Sequence, residues 1–167
     1  MIYNLQQLDD DNVNYLLQLV KNSRDATKSE LDTINENSDG LIDYSSKGKG
    51  PMTLTLLSIN DNKELVEFFQ KYIGINKSEI TSIHLNQYNE TAKTLPHRDT
   101  NSSRTYLILL SVAEEGGELV LENEIIPFNK IGQVIDYDGG KIMHGVNEIK
   151  KGFRTTLVVW TKPKSII

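Results

Sequence analysis

RTYLILLSVAEEGGELVLENEIIPFNKIGQVIDY, residues 104–137, decides how the rest of the chain is to be read. Within it RTYLILLS, GELVLE, IIPF and GQVIDY are short runs rich in Ile, Leu, Val and Tyr, set apart by Glu, Gly and Asn clusters that suit turns. The same character extends in both directions. EITSIHLNQY at 79–88 precedes the stretch, and KIMHGV at 141–146 and FRTTLVVWT at 153–161 follow it. Short strands recurring between turn signals predict an antiparallel all-β barrel or sandwich.

Toward the N-terminus the period changes. Asp9 to Asp11 can cap a helix whose apolar positions Val13, Leu16, Leu17 and Val20 recur at helical spacing. A second helix is expected from about Asn62 to Tyr72, with Leu65, Val66, Phe68 and Phe69 on its buried face and Gly74 ending it. Residues 23–52 are polar, contain glycines and lack a period, which predicts loops with short ordered pieces. The expected architecture is therefore mainly β with N-terminal helices (α+β), two or more helices covering the outer face of a double sheet and protecting its edges. No internal repeat is present. At 167 residues the chain suits one domain, with 1–76 as helical support and variable loops and 77–162 as the β core.

Composition narrows the partners. A net charge of −5 and a pI near 5.2 argue against a broad phosphate-binding surface, so nucleic acid is a disfavoured partner. The absence of cysteine excludes disulfides and thiolate metal sites and favours a reducing compartment. No run approaches the ~20 apolar residues a membrane helix needs, and the N-terminal region turns acidic early. These features together predict an unprocessed cytoplasmic chain with no membrane partner.

Chemistry is concentrated in LPHRDT, residues 95–100, where two of the rarer useful side chains, His97 and Asp99, stand two apart. With three histidines and 23 acidic residues, about 0.4 His-x-acid pairs are expected by chance, so the motif needs support from its surroundings. On an extended strand, residues two apart share a face with Cα atoms about 6.5–7 Å apart, near enough to ligate one ion at about 2.1 Å. Arg98 must then point away. A third ligand is then needed, and if it is a second imidazole the candidates are His84 and His144. His84 alternates with Ile83 and Leu85 in TSIHLNQY, which suits the polar face of a half-buried strand. His144 lies in DGGKIMHGV, where flanking glycines let the backbone close around a site, and is the better candidate. Ten residues later Arg154 sits inside the apolar run GFRTTLVVW; a buried guanidinium needs an acid to hold, supplied by a protein carboxylate or by a ligand. Strand parity places Thr156 and Trp160 on its face, a surface suited to a small dicarboxylate.

With those residues in order, the chain resembles the Fe(II)- and 2-oxoglutarate-dependent dioxygenases, particularly the prolyl 4-hydroxylase-like branch. The resemblance covers residues 83–161, about half the chain, and runs through Tyr88, HRD, the strand opened by Arg104, EEGGELVLE, GQVIDYDGGKIMHGV and GFRTTLVVW. It implies a double-stranded β-helix, the jelly-roll core that cupins also use, with His97, Asp99 and His144 as a facial triad on Fe(II). It further implies 2-oxoglutarate chelating that iron with its far carboxylate on Arg154, and O2 as the other cosubstrate, with ascorbate as a candidate reductant. The family's chemistry is oxidative decarboxylation to succinate and CO2, coupled to hydroxylation of a C–H bond.

Other positions carry over by the same resemblance. Thr156 matches a hydroxyl beside the cosubstrate carboxylate, and Tyr88 matches a tyrosine ahead of the first ligand that contacts cosubstrate and substrate. Packing at the barrel mouth would also account for Tyr88, and core packing for Trp160. Many relatives offer a tyrosine hydroxyl to 2-oxoglutarate from the strand corresponding to RTYLILLS, where only Ser111 is available. The relatives' glycine-rich loop is replaced by NETAKTL, with Thr94 where an aromatic is common. A prolyl residue in a peptide or protein is the leading substrate, with polar residues 40–52 as a lid. A free amino acid or other small metabolite comes second, and a nucleic-acid demethylase or a zinc hydrolase on the same scaffold lower still.

Overall fold

The structure is a computed structural model and describes residues 2–37, 47–99 and 104–162. Its centre is an antiparallel pair of facing sheets. In chain order the major-sheet strands are β1 (Tyr3–Gln7), β3 (Met52–Leu57), β4 (Ile80–Tyr88), β6 (Arg104–Ser111), β10 (Gln133–Tyr137) and β13 (Arg154–Thr161), arranged β1-β10-β6-β13-β4-β3. The minor sheet, ordered β2-β5-β11-β8-β9, contains β2 (Gly48–Lys49), β5 (Lys93–His97), β8 (Leu119–Leu121), β9 (Glu124–Ile125) and β11 (His144–Val146). A short ladder of β7 (Glu115–Gly116) with β12 (Ile149–Lys151) closes one end. The predicted double-stranded β-helix is what the chain forms.

Strand parity explains how one sheet serves two cores. On β13, Val158 and Trp160 point between the sheets, whereas Leu157 and Val159 point to the helices. On β6, Leu107 and Leu109 face inward and Ile108 and Leu110 outward; on β10, Ile135 and Tyr137 face inward and Val134 outward. Both faces of these central strands are buried, so their sequences are apolar almost throughout rather than alternating.

The outer core is completed by α1 (Asp10–Lys21) and α3 (Lys63–Phe68). Asp9 caps α1 as predicted, its carboxylate accepting from the Asn12 amide at 2.8 Å, and Asp10, Asp11 and Lys21 complement the helix dipole. Leu16 is the buried contact of α1. Leu17, expected on the same face, is 38% exposed, because the packed stripe runs through Val13, Leu16, Leu19 and Val20 instead. The second predicted helix divides into α3 and one wide π-type turn, Phe69–Ile73, that stops at Gly74.

Three elements depart from the sequence reading. Residues 23–52, expected as loops with short ordered pieces, contain the ten-residue helix α2 (Lys28–Asn37), which Glu30 fastens to the sheet by accepting from Ser58 Oγ at 2.6 Å and the Ile59 amide at 2.9 Å. The edge strands β1 and β3 were also unanticipated. Strand β1 is nearly all polar and exposed, so only its backbone pairing with β10 marks it as a strand. Of the expected lid, residues 40–46 lie outside the described residues, while Gly48–Lys49 pair with β5 and Met52 begins β3. Among the described residues, no helix is long and apolar enough to cross a membrane.

Leu157 is fully buried on the helix side of β13. Leu157→Ala should therefore lower unfolding free energy by about 2–5 kcal/mol in urea titrations, whereas Leu17→Ala should change it by less than about 0.5 kcal/mol.

Candidate metal centre and its cavity

His97 ends β5 and His144 begins β11, and the two are direct cross-strand partners. That pairing brings their rings to 4.4 Å between centroids. Asp99 lies two residues beyond the end of β5, not within a strand as expected, and is placed by its amide donating to the Gly139 carbonyl at 2.7 Å. Arg98 points outward, as predicted, and its Nε donates to the Lys141 carbonyl at 3.0 Å. The HRD segment is thus clamped onto the turn that leads into His144.

The three side chains converge. Asp99 Oδ1 is 3.3 Å from His97 Nε2, and Oδ2 is 3.2 Å from His144 Nε2. Their ligand atoms all lie within 4.8 Å of one another, and all three residues are buried. His97 Nδ1 donates to the Leu95 carbonyl at 2.9 Å and His144 Nδ1 to the Ile142 carbonyl at 2.8 Å. A carbonyl can only accept, so each neutral ring keeps its lone pair on Nε2, aimed at the common point. Asp99 Oδ1 is buried and accepts no hydrogen bond. Two imidazole nitrogens and a carboxylate, each oriented by its surroundings, fit a divalent transition metal with open coordination positions.

Backbone closeness makes the convergence possible. A Cβ on Gly139 would stand 2.4 Å from Thr105 Oγ1 and 2.8 Å from Asp99 Oδ2. A Cβ on Gly145 would stand 2.8 Å from the Thr94 carbonyl oxygen. These glycines let the turn and β11 approach to distances that any side chain would prevent.

A narrow cavity runs from this cluster between the sheets to Arg154. Tyr88, Thr94, Tyr137, Thr156 and Trp160 line it together with the three candidate ligands. Arg154 opens β13 opposite Tyr88, is 3% exposed, and has its guanidinium 5.6 Å from the Tyr88 ring centroid and 6.0 Å from that of Phe128. Thr156 is 1% exposed on the same inner face. The Tyr88 and Thr94 hydroxyls are hydrogen-bonded at 2.6 Å, so the threonine at the position where an aromatic was expected partners the strand tyrosine. One end of the cavity is thus a donor set that could hold a metal ion and the other a buried cation.

Electrostatics follows from burial and neighbours. Burial alone would raise the Asp99 carboxyl, but the adjoining His144 and His97 imidazoles outweigh it and hold the carboxyl at about 2. The Tyr137 phenol is pushed well up by burial and by the charge of Asp99, against the opposing influence of Arg154. It remains a neutral donor across the ordinary pH range.

Two residues stand elsewhere than the sequence suggested. His84 is on the inner face of β4 and fully buried, not on the polar face of a half-buried strand. Its Nε2 is 2.9 Å from Ser82 Oγ, and its ring meets the Trp160 indole edge-on at 4.6 Å. Both faces of β4 are covered, which alternation alone cannot reveal. Ser111 has a buried hydroxyl without a hydrogen-bond partner, and it is not among the residues lining the cavity. The residue that sequence reasoning missed is Tyr137, whose ring packs 5.0 Å from that of His144. Its signal was its place in GQVIDYDGGKIMHGV, seven positions before His144.

No protein-family model and no curated protein sequence matches the chain. Solved structures do. A prolyl hydroxylase from Trichoplax adhaerens, in complex with a peptide fragment of the hypoxia inducible factor oxygen degradation domain, is 15% identical with a TM-score of 0.65 over 96% of this chain and 83% of that one. A 2OG-Fe(II) oxygenase family oxidoreductase from Burkholderia pseudomallei is 14% identical, TM-score 0.63, over 96% and 85%. The viral collagen prolyl hydroxylase of Paramecium bursaria Chlorella virus-1, solved as a 2OG complex, is 16% identical, TM-score 0.61, over 96% and 95%. At these identities the likeness is one of fold, and it extends over nearly the whole chain.

Gly139→Ala should push the Asp99 carboxylate off its position and weaken divalent-metal binding roughly 10- to 100-fold in calorimetric titrations while leaving the circular dichroism spectrum unchanged. His84 gives a second test. Burial, opposed by the charge of Asp99, lowers its pKa from 6.5 to about 4. The unfolded chain therefore holds more protons between those values, and stability falls as pH is lowered through that window, by about 3 kcal/mol in all. His84→Gln cannot titrate there. Its stability relative to the native chain should rise by that amount between pH 6.5 and pH 4, and a flat difference would contradict the burial of a neutral imidazole.

Proposed function

We propose that the protein is an Fe(II)- and 2-oxoglutarate-dependent dioxygenase that hydroxylates a C–H bond, with a prolyl residue of a peptide or protein as the leading substrate. The carrying observation is a single cavity with His97, Asp99 and His144 at one end and Arg154 buried at the other. A dicarboxylate that must touch both a cation-binding donor set and a guanidinium matches that polarity.

In this reading His97, Asp99 and His144 hold the iron. Two neutral imidazoles and one carboxylate leave the site formally +1, which favours an anionic chelator. Arg154 receives the distal carboxylate, and its burial makes that pairing strong and selective for a second negative charge. Thr156, beside it on β13, can donate a further hydrogen bond, and Tyr88 bounds the same end with its ring. Bound iron and 2-oxoglutarate supply the oxygen activation, releasing succinate and CO2. The chain itself orients the reactants and keeps the cavity narrow and dry. Zinc could occupy the same three ligands, but a hydrolase would have no use for a buried guanidinium at the far end of the cavity.

The peptide assignment draws its support from the fold shared with two prolyl hydroxylases, one of them solved with a peptide fragment. A free amino acid or other small metabolite is the second substrate class.

Protein incubated with Fe(II), 2-oxoglutarate, oxygen and proline-containing peptides should release succinate and add one oxygen to a proline, as read by mass spectrometry. Asp99→Ala should lower turnover by at least about 100-fold through loss of the metal, and Arg154→Ala should raise KM for 2-oxoglutarate roughly 10- to 100-fold. Succinate release without any peptide product would redirect the search to small molecules. No succinate with any substrate would contradict the proposal.

A further inference from the structure

Where relatives offer a tyrosine hydroxyl from the strand corresponding to β6, the resemblance aligns Ser111, and Ser111 does not line the cavity. The reason is local. Strand β13 carries an irregularity between Thr155 and Thr156 where it pairs β6, so that Thr156 faces Leu109 and Thr155 faces Ser111. The regular inward positions of β6 end at Thr105, Leu107 and Leu109, two of which, Thr105 and Leu107, line the cavity.

The neighbouring strand supplies a different group. Tyr137 pairs directly with Thr105 across β10 and β6, points inward with Ile135, and is 1% exposed. Its ring leans on His144, one of the proposed ligands, and it lines the cavity. The phenol forms no hydrogen bond with any described residue. It is nonetheless within electrostatic reach of both Asp99 and Arg154, the two charges that mark the ends of the cavity. A phenol that lines a cavity ended by a carboxylate and a guanidinium, and that has no acceptor among the described residues, is open to a ligand entering that cavity.

We propose that Tyr137 is a cosubstrate-binding residue that donates its phenolic hydrogen bond to a carboxylate of the bound dicarboxylate, supplying from β10 a hydroxyl that Ser111 does not bring to the cavity. The inference rests on the 2-oxoglutarate reading above and extends it to a residue outside the strands expected to serve it. A phenol contributes a donor without charge, so it strengthens and orients the anion while leaving the charge balance of the site to the metal and Arg154. It also couples cosubstrate to metal sterically, because the ring that carries the hydroxyl is packed against His144.

The test uses the full chain loaded with Mn(II), which binds without turnover, and titrates 2-oxoglutarate. The chain has a single tryptophan, and Trp160 lines the cavity, so its fluorescence reports binding directly. Tyr137→Phe keeps the ring and removes only the hydroxyl. The expected result is 2-oxoglutarate affinity weakened roughly 10- to 100-fold with Mn(II) affinity within about threefold of the native chain. Tyr106→Phe, on the outward face of β6, serves as the control and should bind both as the native chain does. Equal 2-oxoglutarate affinity in Tyr137→Phe would overturn the inference while leaving the proposed function standing. Parallel loss of Mn(II) binding would also overturn it, assigning the hydroxyl to the support of His144. A native, Mn(II)-loaded chain that binds no 2-oxoglutarate would sink the proposed function and the inference together.

Discussion

A carboxylate that is 1% exposed between two buried imidazoles is the constraint around which this molecule is arranged. Taking such a charge out of water costs several kcal/mol unless neighbours compensate. Here compensation is built from backbone geometry. His97 and His144 face each other across a single strand pair, and each ring is fixed by a carbonyl two residues before it. Gly139 and Gly145 remove the side chains that would otherwise hold the turn and the strands apart. The donor set is presented by paired strands and a clamped turn, which is the rigid support that metal ligands require.

The remainder of the architecture serves to keep that arrangement dry and to give it a second pole. Period two along β13 turns Arg154, Thr156, Val158 and Trp160 inward, while Leu157 and Val159 lock the strand against α1, α3 and the π-type turn. Displacing the helix-side core would therefore disturb the inner face that carries the guanidinium. The buried imidazole of His84, set edge-on against Trp160, continues the same inner face beyond the cavity wall. A small molecule reaching from the triad to Arg154 would lie along one wall of a single strand.

The β core was legible because each run carries its own apolar pattern between Gly, Asn and Asp punctuation. Helix α1 announced itself through the Asp9 cap. The candidate ligands could be read in order, but their convergence depended on the β5–β11 register, which no local pattern encodes. Strand β1 was invisible because the face shared by Tyr3 and Leu5 is too short to show a period, and α2 because its charged surface gives only weak amphipathy. His84 was misplaced for the opposite reason, since alternation cannot tell a solvated face from an interior lined with Ser82, His84 and Asn86. Tyr137 was overlooked because its importance comes from the strand that lies beside it and the histidine it touches, both set by tertiary pairing.

The central claim is that one divalent metal and one 2-oxo dicarboxylate share this cavity, and anaerobic absorption spectroscopy addresses it most directly. Iron(II) chelated by a 2-oxo acid acquires a visible charge-transfer band that neither component shows alone. The account predicts that such a band appears when both are added to the protein, saturates at one iron per chain, and is lost when His144 is replaced by alanine. A native protein that binds iron yet develops no band on addition of 2-oxoglutarate would contradict it.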